Sequence, residues 1–255
     1  MTSVPAKLSS SNKPQKAVIK NGDKSAVFLL DAIGLNIRLT FLDTACYTSG
    51  ARSFVKEAQN NMSIVNSSRI VAIGASTGGI EALEQVFSRL PASIPPILLV
   101  VHLPKGFTKL YAARLSASYN YIFKEAQTGD EVVGGQVLIA PAGKHMRVKS
   151  ERGRLIVECM EGDKVQYVIP SADVLFESVA NVVGNRSVGV ILTGMGADGA
   201  RGLKKMRECG AVTIGQDRET CVVYGMPKVA IEIGAVEHIL PIYQVADKII
   251  SLARL

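Results

Sequence analysis

Apolar positions along this chain follow two rhythms. Residues 69–73, 97–101 and 188–193 are short, mostly aliphatic and β-branched runs, and each breaks at a bend; this is the pattern of strands buried on both faces. Residues 80–87 carry apolar side chains at helical spacing, and the helix they predict reaches about Leu90 before Pro91, Pro95 and Pro96 end it. A buried strand, a helix and a second buried strand make a βαβ unit, whose crossover is right-handed and whose strands are parallel. Further helices are expected over residues 107–116, 200–209, 227–233 and 243–255. Another begins at Pro170-Ser171-Ala172-Asp173, carries Leu175, Phe176, Val179 and Val182 inward, and is closed by Gly184. Residues 212–214 and 238–240 read as strands. Residues 136–140, 146–148 and 155–159 are shorter runs between Gly, Pro and charged turns, with a hairpin tip at Glu151-Arg152-Gly153, and read as an antiparallel insertion. The whole predicts an α/β fold: a doubly wound, mostly parallel sheet with helices on both faces and a small antiparallel hairpin insertion.

The first 66 residues lack this order. Residues 1–22 are rich in Ser, Lys, Pro and Asn and read as a flexible leader. Residues 26–31 suit a strand and 53–61 a short polar helix. The polar break at Asn60, Asn61, Asn66, Ser67 and Ser68 places a boundary there, with an N-terminal extension over 1–66 and the main domain over 67–255. At 255 residues, 47% apolar and 20% charged, the chain can bury a substantial core. More than half of its formal charge of +7 lies in residues 1–66, where eight Lys and Arg face four Asp and Glu. The remaining excess is spread thinly over a large domain, which is not the basic stripe of a nucleic-acid binder. Cys46, Cys159, Cys209 and Cys221 lie far apart with no C-x-x-C spacing, which argues against a zinc site or a disulfide framework and fits reduced thiols in a cytoplasm. The apolar stretch 26–37 is interrupted by Asp31 and Asn36 and is too short to cross a bilayer. A cytoplasmic protein without membrane insertion is expected.

The bend after the first buried strand, Gly74-Ala75-Ser76-Thr77-Gly78-Gly79, supports three readings. It fits G-x-S-x-G, in which a sharp turn lifts a serine clear of the sheet edge as a nucleophile and the next N–H, that of Thr77, faces the oxyanion. It could cradle phosphate at a helix N-terminus, although neither G-x-G-x-x-G nor a Gly-Lys-Ser/Thr ending is present. It could equally be a tight connection with Ser76 as an N-cap. The second strand ends on His102, and the third runs into Gly194-Met195-Gly196-Ala197-Asp198-Gly199. Parallel strands bring these ends to one carboxyl edge, where open α/β sheets bind ligands. Ser76, His102 and Asp198 together form the inventory of a nucleophile, a base and an orienting acid. Each residue also has a plain reading: His102 as a packed ring, Asp198 as the cap of the following helix, Met195 as part of a turn. His145 is a rival base, and His238, within a strand, reads as structural.

From Ser68 to the C-terminus these residues resemble the catalytic domain of the CheB family of chemotaxis-receptor protein-glutamate methylesterases. The resemblance is carried by Gly74-Ala75-Ser76-Thr77-Gly78-Gly79; by His102-Leu103-Pro104 with Gly106-Phe107-Thr108; and by Ile139-Ala140-Pro141 with His145-Met146. It continues in Pro170-Ser171 with Asp173-Val174-Leu175-Phe176, in Thr193-Gly194-Met195-Gly196 with Asp198-Gly199, and in Cys221-Val222-Val223-Tyr224-Gly225-Met226-Pro227. It implies a catalytic triad of Ser76, His102 and Asp198, with Thr77 and Met195 lining the cleft, and no metal or organic cofactor. The implied substrate is the γ-glutamyl methyl ester on the cytoplasmic helices of methyl-accepting chemotaxis receptors, with deamidation of receptor glutamines as a second activity. Two departures touch substrate docking: Val168-Ile169 stands where the family usually has a basic pair, and Val101 where it often has Gln. The family's phosphoacceptor receiver domain needs more residues than the 66 that precede the match, and Asp31 reads as a strand end, so no phosphorylation control in cis is expected. The alternatives are a catalytically idle receptor-binding or signalling module of the same fold, and a nucleotide-binding protein using residues 74–79.

Overall fold

The computed structural model describes residues 15–21, 24–30, 38–39 and 69–253. The expected helix over 53–61, the polar break, Asp31 and Cys46 lie outside them. The chain divides into two compact units, Met1–Asn60 and Asn61–Leu255. In the first, β1 (Gln15–Asn21) pairs antiparallel with β2 (Lys24–Leu30), which pairs antiparallel with β3 (Arg38–Leu39). The strand expected from Ala26 is β2, and β1 lies in the stretch read as a leader.

The second unit runs β4 (Ile70–Ala75), α1 (Gly79–Phe87), β5 (Ile97–Val101), α2 (Phe107–Ser118), β6 (Ile122–Glu125), β7 (Gln136–Ile139), β8 (His145–Glu151), β9 (Arg154–Met160) and α3 (Ala172–Val182). A short 3-10 turn, Gly184–Arg186, leads to β10 (Ser187–Ile191), α4 (Ala200–Glu208), β11 (Val212–Gln216), α5 (Met226–Glu232), β12 (His238–Leu240) and α6 (Ile242–Ala253). Seven strands form one parallel sheet in the order β12-β11-β10-β4-β5-β7-β6, and β8 and β9 form a separate antiparallel ribbon.

Two features depart from the sequence reading. Residues 136–139 belong to the parallel sheet, between β5 and β6, and not to the hairpin insertion. Their neighbours bury Val137, Leu138 and Ile139 on both faces, which is why the run is continuously apolar. Strand β6 was not expected; it is an edge strand with Ile122 exposed and Lys124 and Glu125 half-buried, so it lacks a strand's usual apolar signal.

The strands alternate their side chains between two cores. Val71, Ile73, Ile97, Leu99, Val188 and Val190 pack on one face with α1, α2 and α6; Ile70, Ala72, Leu98, Val100 and Ile191 pack on the other with α3, α4, α5 and the ribbon. From β4 the chain steps outward through β5 to β6 with α1 and α2 on the first face. From β10 it steps the opposite way through β11 to β12 with α4 and α5 on the second. Right-handed crossovers taken in opposite directions must use opposite faces. The reversal falls between β4 and β10, and the crevice beyond the carboxyl ends of strands at such a reversal is where this architecture places its ligands. Helix α3 approaches β4 closely there: a Cβ on Gly74 would stand 2.9 Å from Ala172 Cβ and 3.2 Å from the Phe176 ring, so only glycine admits the helix.

The first turn of α3 is tied to α4 by a carboxylate. Asp173 is 2% exposed; its Oδ1 accepts the Gly202 N–H at 2.7 Å and its Oδ2 is buried without a partner among the described residues. Burial pushes its pKa from 3.8 up to about 6, opposed by the Gly202 N–H and reinforced by nearby Asp198. The native state therefore keeps a proton that the unfolded chain releases, and native stability falls as pH rises across the window between those two values. Asp173→Asn retains the Oδ1 acceptor without the charge. Its melting temperature is expected to gain on the native protein's as pH rises from about 4 to 7, and to lose that gain below pH 4; thermal melts that keep a constant difference across this range would contradict it.

Candidate active site

Ser76 and His102 leave adjacent strands at the same level. Ala75 and Val101 are registered partners in β4 and β5, and the His102 N–H donates to the Ala75 carbonyl at 3.2 Å. Ser76 and His102 are the next residues along, on strands that run about 4.8 Å apart. On the other side the Ser76 N–H donates to the Thr193 carbonyl at 3.0 Å, just beyond β10. Ser76 is thus anchored to both neighbouring strand ends, yet among the described residues its hydroxyl makes no hydrogen bond.

Residues 76–79 form a type II turn closed by the Gly79 N–H on the Ser76 carbonyl at 2.7 Å. Its left-handed position, φ 75° and ψ 3°, falls on Gly78, and Ser76 keeps an ordinary negative φ. Glycine therefore carries the turn, and Ser76 is presented without a left-handed backbone of its own. A Cβ on Gly78 would also meet Val222 at 2.4 Å. Thr77 is exposed, and its carbonyl accepts the Thr193 hydroxyl at 3.0 Å. Among the described residues the N–H groups of Thr77 and Gly78 have no backbone partner at the start of α1, which leaves two donors beside Ser76.

Asp198 lies buried against His102. Its Oδ2 sits 3.0 Å from His102 Nε2 and accepts the Ala172 N–H at 2.6 Å; its Oδ1 accepts the Ser171 hydroxyl at 2.5 Å and the Asp173 N–H at 3.3 Å. Asp198 does cap a helix, but it caps α3 and not the α4 that follows it. Ser171 occupies the N-cap position of α3 without capping it, because its hydroxyl points to Asp198. The carboxylate takes over that role at the positive end of the helix dipole. Burial works against ionisation of Asp198, but the hydrogen bonds from His102, Ser171 and Ala172 outweigh it and hold the carboxyl below its usual range. With Nε2 committed to Asp198, the ring nitrogen left for Ser76 is Nδ1.

Met195 is 77% exposed on the rim. Its loop is braced by residues 223–226: the Gly194 N–H donates to the Val223 carbonyl, and the Gly194 carbonyl accepts the Gly225 and Met226 N–H groups at 3.1 and 2.8 Å. Thr193 joins the two rims, accepting the Val223 N–H at 2.9 Å and donating to the Thr77 carbonyl, while its own N–H is held by the Gln216 side chain at 2.8 Å. Ser171, Thr193 and Gln216 had no role in the sequence reading. Pro170-Ser171 was visible as a motif, but nothing in it says which distant carboxylate its hydroxyl meets.

The other candidates fall outside this cluster. Both ring nitrogens of His145 are engaged with backbone groups, to Asp163 O at 2.9 Å and Ser171 N at 3.2 Å, so it is not free to act as a base. His238 lies in the edge strand β12 beside Glu237. Val101 is buried in the core, and Val168 closes a tight turn with Val165 in which Gln166 and Tyr167 take positive φ. Among the described residues no three His, Cys, Asp or Glu side chains group as metal ligands, and no helix is long and apolar enough to cross a membrane.

Comparison with known proteins agrees with this geometry. The CheB methylesterase family model matches residues 71–249. Protein-glutamate methylesterase/protein-glutamine glutaminase 2 of Syntrophomonas wolfei is 52% identical over 183 residues, 72% of this chain and 54% of that protein. The protein-glutamate methylesterase/protein-glutamine glutaminase of Syntrophotalea carbinolica is 40% identical over 228 residues, 88% of this chain and 65% of that one. The crystal structure of the Thermotoga maritima CheB methylesterase catalytic domain superposes with a TM-score of 0.71 at 41% identity, covering 73% of this chain and 99% of that domain. The chain spans about half the length of the first of these relatives. A seven-stranded parallel sheet with a bonded His102–Asp198 pair beside Ser76, matched over most of residues 69–253, leaves one conclusion: the chain belongs to the CheB methylesterase family.

Proposed function

We propose that the protein is a cytoplasmic serine esterase that hydrolyses glutamate γ-methyl esters on the cytoplasmic helices of methyl-accepting chemotaxis receptors, and that it deamidates receptor glutamines by the same chemistry. The observation that carries this reading is the buried, multiply bonded Asp198 against His102, with Ser76 at the neighbouring strand end and its hydroxyl without a hydrogen bond among the described residues.

A serine hydroxyl is a poor nucleophile at its own pKa and needs a base during attack. Asp198 fixes His102 with its proton on Nε2, so Nδ1 keeps a lone pair that can take the Ser76 proton. As Ser76 Oγ bonds to the ester carbonyl carbon, its proton passes to Nδ1, and the resulting imidazolium lies against a carboxylate that stays ionised. The oxyanion is met by the free N–H groups of the 76–79 turn, Thr77 foremost, with the Met195 loop opposite. Collapse expels methanol, which takes the proton back from Nδ1; ammonia leaves in the same way from glutamine. Water then attacks the carbonyl carbon of the acyl-enzyme as its proton passes to Nδ1, and collapse breaks the bond to Ser76 Oγ, which takes that proton back as the glutamate is released. Metal and organic cofactor have no part in this scheme.

Methanol release from membranes carrying methylated receptor tests the assignment. Ser76→Ala is expected to lose about 10⁴-fold or more in kcat. Equal turnover in Ser76→Ala and the native protein would exclude Ser76 as nucleophile, and no turnover in the native protein would leave an idle module of the same fold. Asp198→Asn, which presents an amide to His102 and favours the wrong tautomer, is expected to lose on the order of 10⁴-fold; near-native kcat would remove Asp198 from the mechanism.

A further inference from the structure

His145 is a buried imidazole that the proposed chemistry does not use. It is 5% exposed at the start of β8, and both of its ring nitrogens meet backbone atoms of unambiguous character. The Ser171 N–H can only donate, so Nδ1, 3.2 Å away, must hold a lone pair; the Asp163 carbonyl can only accept, so Nε2, 2.9 Å away, must carry the proton. The surroundings therefore select the neutral Nε2–H tautomer without reference to solvent.

Ser171 is the residue this ring holds. Its hydroxyl and the two N–H groups that follow it, those of Ala172 and Asp173, supply three of the four hydrogen bonds to Asp198. The Ser171 N–H points back to His145 while its hydroxyl points forward to Asp198, so the imidazole fixes the residue that fixes the carboxylate. The chain of contacts runs from the Asp163 carbonyl through His145, Ser171 and Asp198 to His102.

We infer that His145 is a positioning residue for the catalytic acid: as the Nε2–H tautomer it locks the turn at Ser171 that holds Asp198 against His102. This rests on the reading of Asp198 as the orienting acid. The role belongs to Nδ1, since that is the atom facing Ser171. Asn can place an amide oxygen near the Nδ1 position, whereas Gln places its amide nitrogen near Nε2 and offers nothing at Nδ1.

Methanol release from methylated receptor membranes is compared for the native protein, His145→Ala, His145→Asn and His145→Gln, with Ser76→Ala as a control. His145→Ala is expected to lower kcat about 10- to 100-fold, the size typical when an outer partner of a functional ligand is removed, with KM within about twofold. His145→Asn is expected to recover most of that loss and His145→Gln little of it. Near-native kcat in all three variants, with Ser76→Ala inactive, would overturn the inference and leave the esterase reading standing. Equal losses in Asn and Gln that track their melting temperatures would overturn it in favour of plain packing. An active Ser76→Ala would instead overturn the esterase reading. Ring nitrogen-15 spectra of the native protein give an independent check if a variant does not fold: His145 is expected with Nδ1 bare and Nε2 protonated at neutral pH, and the opposite tautomer would overturn the inference.

Discussion

The site depends on one buried carboxylate being kept charged. Asp198 sits away from water, where ionisation is costly, and four donors from two separate segments make that charge tolerable: His102 after β5, and the Ser171 hydroxyl with the first two N–H groups of α3 that follow it. Each donor is also positioned by the acceptor it serves. The imidazole is orientated, the N-terminus of α3 is capped, and the loop after β10 is drawn toward the helix. Removing the charge would release all three together.

The fold brings those segments together for reasons unrelated to chemistry. Where the strand order reverses between β4 and β10, right-handed crossovers put the helices on opposite faces, and the reversal opens a crevice where three strand ends stand side by side. Gly74 removes the side chain that would keep α3 off β4. Gly78 takes the left-handed turn position, so that Ser76 is presented without backbone strain of its own. The second rim, residues 220–226, is held by Gln216 and Thr193 through backbone atoms, which ties the Thr77 carbonyl to the loop that carries Met195.

Much of this was legible in the residues because buried parallel strands are continuously apolar and the bends that end them are rich in glycine. The ends of β4, β5 and β10 could be named from that pattern, and placing them on one edge follows from the parallel rule alone. What stayed hidden has physical causes. Strand β6 is an exposed edge with charged residues, and β7 was grouped with the hairpin because a four-residue run does not say which sheet it joins. Ser171 and His145 are bonded to each other and to partners far away in the chain, and no spacing rule encodes such contacts. The motif Gly74-Ala75-Ser76-Thr77-Gly78 told of a sharp turn at Ser76, but not that Gly78 would take its left-handed position.

The central claim is that Asp198 orders His102 so that the Ser76 hydroxyl is activated at a strand end. A fluorophosphonate ester reads that activation directly, without receptor: attack by an activated serine expels fluoride and leaves a stable adduct that mass spectrometry can place. The account predicts one adduct, on Ser76, formed at least about 10³-fold more slowly in Asp198→Asn. An adduct elsewhere, or on Ser76 at an unchanged rate in that variant, would contradict it.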